Sequence, residues 1–161
     1  MLIKLLLTGG TIDKSYNESN GELDFSETHI SKILNIGRNR TAIKIEQVML
    51  KDSLDMDDGD RELIVSACKN TSQNKILITH GTDTMVETAK LIAKQKIAKT
   101  VVLTGAMIPF VFKHTDAVFN LGFALASVQT LPHGVYIAMN GQVFEWDKVT
   151  KNLNLGQFEK K

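Results

Sequence analysis

Residues 76–93 read ILITHGTDTMVETAKLIA, a stretch that joins a strand pattern to a helix pattern through an unusually polar turn. The apolar run at its start is typical of a buried strand, and the amphipathic run at its end is typical of a helix. Thr84 and Glu87 fit the Ser/Thr-x-x-Glu capping box of a helix start. Thr82 and Asp83 precede this cap and are not explained by it. Asp83 alone could serve the positive end of the helix dipole, so the turn predicts either a cap or a functional site.

The same alternation of short apolar runs and amphipathic stretches continues along the chain. The predicted strands cover residues 2–10, 41–50, 75–81, 99–107 and 133–141, and the tail after them predicts strand fragments and loops. The predicted helices cover residues 26–37, 56–72, 84–95 and 115–129. Ser26 and Gly37 predict the two ends of the first helix. This alternation predicts an α/β fold with an open, mostly parallel sheet and helices on both faces, a Rossmann-like or flavodoxin-like three-layer sandwich.

Length and composition predict one globular domain over residues 1–161. Hydrophobic residues make up 43% and charged residues 23%, and the net charge of +1 favours neither a nucleic-acid partner nor a membrane partner. The single cysteine, Cys68, excludes an intrachain disulfide and lies on the predicted apolar side of a helix. The apolar run within residues 1–10 is too short for a signal peptide or a membrane helix, so we expect a cytoplasmic protein.

Three predicted strands end alike, in LLLTGGT at 5–11, ILITHGT at 76–82 and VVLTGAM at 101–107. Each end carries a threonine, a glycine and a small or hydroxyl residue. In an open parallel sheet, ligands bind outside the carboxyl ends of the strands, where glycine lets backbone N–H groups approach a ligand closely. Three such turns at one edge predict a pocket for a small polar or anionic molecule.

Other polar residues follow predicted strands and reach the same edge. Thr11 directly follows the first strand. The polar stretch after Thr11 contains Tyr16 and predicts a mobile loop, which is either a lid over the pocket or a plain surface loop. Asp52 and Ser53 follow the second strand, so they are candidates for the same pocket.

Neither a metal nor a nucleotide is predicted. Asp57, Asp58 and Asp60 are expected to cap the next helix, no matching ligand cluster follows them, and the Cys and His spacings of zinc sites are absent. The GGTIDK run lacks the complete glycine patterns of nucleotide-binding loops. His80 is predicted to hold a backbone carbonyl, with direct participation in catalysis as the alternative.

Two of the strand ends carry a family resemblance. LLTGGTID at 6–13 and ILITHGTDTMVETA at 76–89 resemble the two signatures of bacterial-type L-asparaginases. The resemblance covers nearly the whole chain, as an amino-terminal asparaginase domain. The further matching segments are DSLDM at 52–56, VVLTGAMIP at 101–109, TDAVFNLGFALA at 115–126, GVYIAMNGQVF at 134–144 and DKVTKN at 147–152.

The resemblance implies catalytic roles for five residues. Thr11 would be the nucleophile that attacks the side-chain amide carbon of the substrate. Tyr16 would help to activate Thr11 and to close the site. Thr82, Asp83 and Lys151 would form a second hydrogen-bonded set. The chemistry requires such partners because a threonine hydroxyl is a weak nucleophile that needs a base or a pKa-lowering neighbour.

The resemblance also implies how the substrate is held. Ser53, with Asp83, would bind the α-carboxylate and the α-amine of the substrate. Backbone N–H groups at the glycine-rich strand ends would stabilise the developing oxyanion. The implied substrate-binding residues are Gly10, Asp52, Ser53, Gly81 and Ala106.

The implied reaction converts L-asparagine and water to L-aspartate and ammonia through an acyl-threonine intermediate, with no cofactor and no metal. L-Glutamine is the alternative substrate. The usual family member has a second, carboxyl-terminal domain, and this chain ends shortly after Lys151, so we expect a short form that assembles as a homo-oligomer. Two other functions stay open: an amino-acid-binding regulatory module with little turnover, and an ammonia-supplying subunit of the amidotransferase type.

Overall fold

Six strands form the central sheet of the structure, a computed structural model that describes residues 1–161. The strands are β1 (Leu2–Gly9), β2 (Lys14–Asn17), β3 (Glu22–Phe25), β4 (Ala42–Lys51), β5 (Lys75–Thr79), β6 (Thr100–Thr104), β7 (Gly134–Met139), β8 (Gln142–Glu145), β9 (Val149–Asn152) and β10 (Gln157–Lys160). The helices are α1 (Ile30–Ile36), α2 (Asp58–Asn70), α3 (Met85–Lys94) and α4 (Ala117–Thr130). Short 3₁₀ turns cover Thr11–Asp13 and Ser53–Asp55.

The strand order of the central sheet is β4-β1-β5-β6-β7-β8. All neighbours in this sheet are parallel except β8, which runs antiparallel to β7. The open, mostly parallel α/β sheet predicted from the sequence is therefore confirmed. No helix here combines the length and the hydropathy that crossing a bilayer requires.

Successive residues of each buried strand face opposite layers of helices. In the sheet register Leu5 of β1 lies beside Leu77 of β5, and Leu77 lies beside Val102 of β6. These three residues pack in one apolar cluster with residues of α1 and α4. Leu6 and Ile78, the next residues along two of the strands, pack in a second cluster with residues of α2 and α3. Helices cover both faces of the strands, which explains the continuously apolar strand sequences and confirms the three-layer arrangement.

Cys68 lies on the α2 side of this core and is fully buried, as its position in the sequence predicts. Burial in an apolar environment disfavours the charged thiolate and raises the pKa of Cys68 to about 12. The thiol is therefore a packing residue and not an activated nucleophile.

The starts of two helices test the capping predictions. The first helix begins at Ile30 and not near Ser26, because the Thr28 hydroxyl accepts the Ile30 N–H over 3.2 Å. At the start of α2, Asp57 and Asp60 form a reciprocal capping box in which each carboxylate accepts the other residue's N–H. The predicted Ser26 cap is therefore wrong, and the predicted acidic cap of the second helix is confirmed.

Two antiparallel hairpins lie outside the central sheet, β2 with β3 and β9 with β10. The first hairpin occupies the stretch after Thr11, where the sequence predicts a mobile loop. Its strands are joined by the backbone ladder and by a hydrogen bond of 2.8 Å from Asn17 to Asp24, which accounts for the regular structure. The second hairpin carries Lys151 at a position beside the edge formed by the strand ends.

Candidate active site

The ends of β1 and β5 and the turn after β4 are packed together without room for side chains. A Cβ atom added to Gly81 would lie 2.6 Å from the Ser53 hydroxyl oxygen, and one added to Gly10 would lie 2.6 Å from the Gly81 Cα atom. Gly10 also has a φ of 85°, a left-handed conformation that glycine adopts without strain. Thr11 and Thr82, which follow the two glycines, are therefore brought to neighbouring turns.

Lys151 reaches these turns from the β9–β10 hairpin. Its Nζ donates hydrogen bonds of 2.8 Å to Thr82 Oγ1 and 2.6 Å to Asp83 Oδ1. The side chain of Lys151 is 13% exposed and that of Asp83 is 37% exposed, so the ion pair lies at the boundary with solvent. The three residues that the resemblance assigns to a second catalytic set are thus joined by hydrogen bonds.

The bond from Lys151 determines where the Thr82 hydroxyl proton can go. An ammonium group only donates, so Thr82 Oγ1 is the acceptor in this bond. The Thr82 hydroxyl proton is not used in a hydrogen bond to another group of the chain, so it is available to a molecule bound at this edge. A positively charged donor on the oxygen also makes that proton easier to release.

Thr11 opens the first 3₁₀ turn and is half-buried. No hydrogen bond joins its hydroxyl to another side chain. The backbone N–H groups of Thr11 and Thr82 likewise donate to no backbone acceptor. Two free N–H groups at neighbouring turns are suited to stabilise negative charge on a carbonyl oxygen, provided that the oxygen is bound between them.

His80 is fully buried and holds the backbone that presents Thr82. Its Nδ1–H donates to the Gly81 carbonyl over 2.7 Å, and its Nε2 accepts from the Thr88 hydroxyl over 2.8 Å. Burial lowers the pKa of His80 from 6.5 to about 4, so the ring is neutral at pH 7. The Gly81 carbonyl and the Thr82 N–H belong to the same trans peptide and point in opposite directions. The hydrogen bond from His80 to this carbonyl therefore turns the Thr82 N–H away from the His80 ring. The predicted carbonyl-holding role of His80 is confirmed.

Ser53 is buried and is held in place by two hydrogen bonds with Thr84. The Thr84 hydroxyl donates to the Ser53 carbonyl over 2.9 Å, and the Ser53 hydroxyl accepts the Thr84 N–H over 3.3 Å. Arg61 Nη2 in turn donates to Thr84 Oγ1 at 3.0 Å and to Glu87 at 3.4 Å. Thr84 makes no capping hydrogen bond in α3, so the predicted capping box is wrong. Sequence reasoning missed Arg61, because only the packing of α2 against α3 brings it to this turn.

Asp52, a predicted substrate-binding residue, is paired within the protein. Its carboxylate binds the Lys14 ammonium and accepts the Leu54 N–H over 3.0 Å. Partial burial favours a higher pKa of Asp52, but the hydrogen bond from Lys14 and the Leu54 N–H outweigh burial and lower that pKa. The ion pair ties the segment of Thr11 to the segment of Ser53. Sequence reasoning missed Lys14, whose partner is 38 residues away.

The structure does not join Tyr16 to the Thr11 hydroxyl. Tyr16 lies on β2 and is 55% exposed. Its hydroxyl lies across the hairpin turn, where a Cβ atom added to Gly21 would be 3.9 Å from it. In this arrangement the side chain is open to solvent and is not engaged at the strand ends.

The third strand end also contacts the site. Ala106 is fully buried just after β6. The preceding residue, Gly105, packs against the β5 turn, since a Cβ atom there would lie 3.4 Å from Thr82 Cγ2. All three glycine-containing turns predicted from the sequence therefore meet at one edge of the sheet.

Two further acidic side chains near this edge have partners within the protein. Asp60 accepts a hydrogen bond of 2.5 Å from Lys51, in addition to its capping bonds, and Asp83 binds Lys151. No three His, Cys, Asp or Glu side chains of the structure are grouped so that they could hold a metal ion.

A free hydroxyl, a hydroxyl held by a lysine–carboxylate pair, and two free N–H groups are thus brought to one edge of an α/β sheet. This set of groups is suited to acyl transfer onto a hydroxyl nucleophile. The family model of the asparaginase N-terminal domain matches residues 2–156, and the chain belongs to the asparaginase family. The family resemblance of the sequence is confirmed.

Individual relatives and solved structures agree with this assignment. The chain is 37% identical to a probable periplasmic L-asparaginase of Haemophilus influenzae and 35% identical to L-asparaginase 2 of Escherichia coli, in each case over 92% of this chain and 46% of the relative. The thermostable L-asparaginase from Thermococcus kodakarensis matches with a TM-score of 0.86 at 29% identity, over 99% of this chain and 51% of that one. A probable cytoplasmic L-asparaginase from Campylobacter jejuni matches with a TM-score of 0.81 at 30% identity, over 98% of this chain and 52% of that one. The chain therefore spans about half the length of these relatives.

Proposed function

We propose that this protein is an amidohydrolase that converts L-asparagine and water to L-aspartate and ammonia. The observation that carries the proposal is the pair of hydrogen bonds from Lys151 to Thr82 and Asp83, on a turn that packs against the turn of Thr11. A binding protein has no need of a lysine that holds a threonine hydroxyl, whereas proton transfer during amide cleavage does. The two relatives and the solved structures described above are named L-asparaginases, which supports the same reaction.

In the first step the Thr11 oxygen attacks the side-chain amide carbon of the substrate. A carbon–oxygen bond forms, and the carbonyl electrons move onto the oxygen. The N–H groups of Thr11 and Thr82 donate to that oxyanion, which lowers the barrier because they are already oriented before the reaction. Tyr16 is proposed to assist this step once the β2–β3 hairpin moves toward the bound substrate.

In the second step the carbon–nitrogen bond breaks and ammonia leaves. The Thr82 hydroxyl donates a proton to the departing nitrogen and is reprotonated by Lys151. The Thr11 oxygen keeps its proton until this step and then passes it to the Lys151 amine, which has just given up a proton and is neutral. Threonine and amide thus give ester and ammonia, and Lys151 ends the step as an ammonium. Water then attacks the acyl-threonine ester, which releases L-aspartate and restores the Thr11 hydroxyl.

Substrate binding is proposed to use both charges of the amino acid. The Asp83 carboxylate attracts the α-ammonium group, and the Ser53 hydroxyl donates to the α-carboxylate. Gly10, Gly81 and Ala106 are proposed to contribute backbone to the substrate site. Gly10 and Gly81 let the two turns pack closely, which brings the N–H groups of Thr11 and Thr82 near each other. Asp52 acts through its ion pair with Lys14, which holds the Ser53 segment in place.

We further propose that the protein works as a homo-oligomer, without cofactor, metal, nucleic acid or membrane partner. Support for assembly comes from the exposure of Asp83 and Tyr16, since a second copy placed over them would shield the reaction from water. The near-neutral charge supports the absence of a nucleic-acid partner. A cytoplasmic location is proposed by analogy with the Campylobacter jejuni relative, although the Haemophilus influenzae relative is described as periplasmic.

Ammonia release, measured with L-asparagine and with L-glutamine over a wide concentration range, tests this function. We expect saturable ammonia release with L-asparagine and a lower kcat/KM with L-glutamine. Thermal stabilisation by L-aspartate with no ammonia release from either amide would contradict the proposal and favour an amino-acid-binding module. Ammonia release that depends on an added partner protein would favour an amidotransferase subunit.

A further inference from the structure

The β9–β10 hairpin has few hydrogen bonds to the rest of the protein. Apart from the two bonds of Lys151, residues 149–160 make one, in which the Phe158 N–H donates to Asn140 Oδ1 over 2.9 Å. Phe158 lies directly opposite Lys151 in the hairpin ladder. Because the Phe158 N–H points away from β9, the two residues form a non-hydrogen-bonded pair, whose side chains lie close together on one face.

Asn140 is itself held in place by a hydrogen bond with Asn120 of α4. It lies between β7 and β8 in a left-handed conformation with φ of 54°, and its N–H donates to Asn120 Oδ1 over 3.3 Å. The buried Asn120 amide donates to the Gly105 carbonyl over 3.0 Å and to Asp116 over 2.8 Å. Gly105 packs against Thr82, so this chain of bonds runs from the strand partner of Lys151 to the turn that Lys151 contacts.

We propose that Asn140, held by Asn120, is a positioning residue that sets the place of the Lys151 ammonium against Thr82 and Asp83. The catalytic part of this proposal rests on the proposed function. Phe158 and Val149 anchor the hairpin in the apolar cluster, but apolar contact is non-directional and allows small shifts along the strands. The hydrogen bond from Phe158 to Asn140 is directional and fixes the position of the hairpin along the strand direction.

Three variants separate this role from a general effect on folding. Asn140→Gly removes the acceptor but keeps the left-handed backbone, which glycine adopts freely. Asn140→Asp keeps an oxygen acceptor for the Phe158 N–H, and aspartate also tolerates this conformation. Asn154→Gly is the matched control, because Asn154 is exposed at the turn of the same hairpin and its side chain makes no hydrogen bond.

The first measurement needs no turnover. The unliganded protein is acetylated with limiting acetic anhydride, and labelling of Lys151 is followed by mass spectrometry relative to Lys14, whose bond to Asp52 is independent of the hairpin. We expect Asn140→Gly to raise the labelling rate of Lys151 about two- to tenfold, the range that corresponds to loss of one ordinary hydrogen bond. Asn140→Asp and Asn154→Gly should label at the wild-type rate.

The second measurement is steady-state ammonia release from L-asparagine. We expect Asn140→Gly to lower kcat about two- to tenfold with little change in KM, because Lys151 acts on the transition state. Asn140→Asp should restore kcat. An unchanged labelling rate in Asn140→Gly, or an Asn140→Asp variant that behaves like Asn140→Gly, would overturn the positioning role. If the variants show the expected labelling pattern but the wild-type protein releases no ammonia, the positioning role is supported and only the proposed function is contradicted.

Discussion

Lys151 Nζ lies 2.8 Å from Thr82 Oγ1, although 69 residues separate the two in the chain. The contact joins the last hairpin of the fold to the turn after the central strand β5. It leaves the Thr82 hydroxyl proton free to point toward a bound substrate, since a lysine ammonium can only donate.

Removing the ammonium is therefore expected to slow turnover strongly. Lys151→Met should lower kcat for L-asparagine by about 10²- to 10⁴-fold, the usual contribution of a positioned proton donor. Lys148→Met is the matched control, because Lys148 is exposed nearby and pairs with Glu145 on the surface. Steady-state kinetics of both variants provide the measurement. A Lys151→Met variant with wild-type kcat would show that the ion pair with Asp83 is structural only.

The close approach of Gly81 to Ser53 predicts a steric effect on stability. Gly81→Ala places a Cβ atom 2.6 Å from Ser53 Cβ and should lower the free energy of unfolding by about 1–3 kcal/mol. Gly122→Ala is the control, because it lies on an exposed position of α4 where an added Cβ meets nothing within 4 Å. Urea denaturation measures both. We expect Ser53→Gly to recover part of the loss in the Gly81→Ala background, and no recovery would mean that the clash lies elsewhere.

Buried His80 predicts a pH dependence of stability. Its pKa is about 4 in the folded state and 6.5 in the unfolded chain, so between these values the unfolded chain binds more protons. The free energy of unfolding therefore falls as the pH falls from 6.5 to 4, by roughly 3 kcal/mol from this group. His80→Asn keeps a donor for the Gly81 carbonyl but cannot titrate. Urea denaturation from pH 4 to 7 should give a shallower slope for His80→Asn, and identical slopes would contradict a buried neutral ring.

Cys68 is expected to be inert in the folded protein. Its pKa is raised from 9.0 to about 12 by burial, which lowers the thiolate fraction on the order of 10³-fold at neutral pH. A disulfide reagent followed by absorbance should therefore react slowly with the native protein and rapidly after unfolding in guanidinium. Rapid labelling under native conditions would mean that α2 opens readily or that the side chain is not in the core.

Much of this fold is predictable because local pattern and tertiary structure agree. The apolar strands and the three glycine-containing strand ends could be identified from single stretches of sequence, and the parallel topology brings those ends to one edge. The exceptions are places where a tertiary contact overrides a local pattern. Thr84 matches a capping box, but its hydroxyl binds the Ser53 carbonyl and Arg61 instead.

The site is less predictable than the fold because its contacts join distant parts of the chain. Thr82 and Asp83 are conspicuous within their own turn, whereas only the family resemblance indicates Lys151. Lys14 and Asn140 were missed, because an ion pair across 38 residues and a side-chain bond across 18 residues leave no local pattern. The stretch after Thr11 predicts a loop and not a hairpin, because its two strands have four residues each and β2 is polar.

The central claim is that the Thr11 hydroxyl is the nucleophile. Ammonia release from L-asparagine should be measured for the wild type, Thr11→Ala and Thr11→Ser under identical conditions. Thr11→Ala should lose essentially all turnover while it keeps its fold by circular dichroism. Thr11→Ser should keep measurable turnover, because it keeps a hydroxyl. Wild-type turnover in Thr11→Ala would contradict the account.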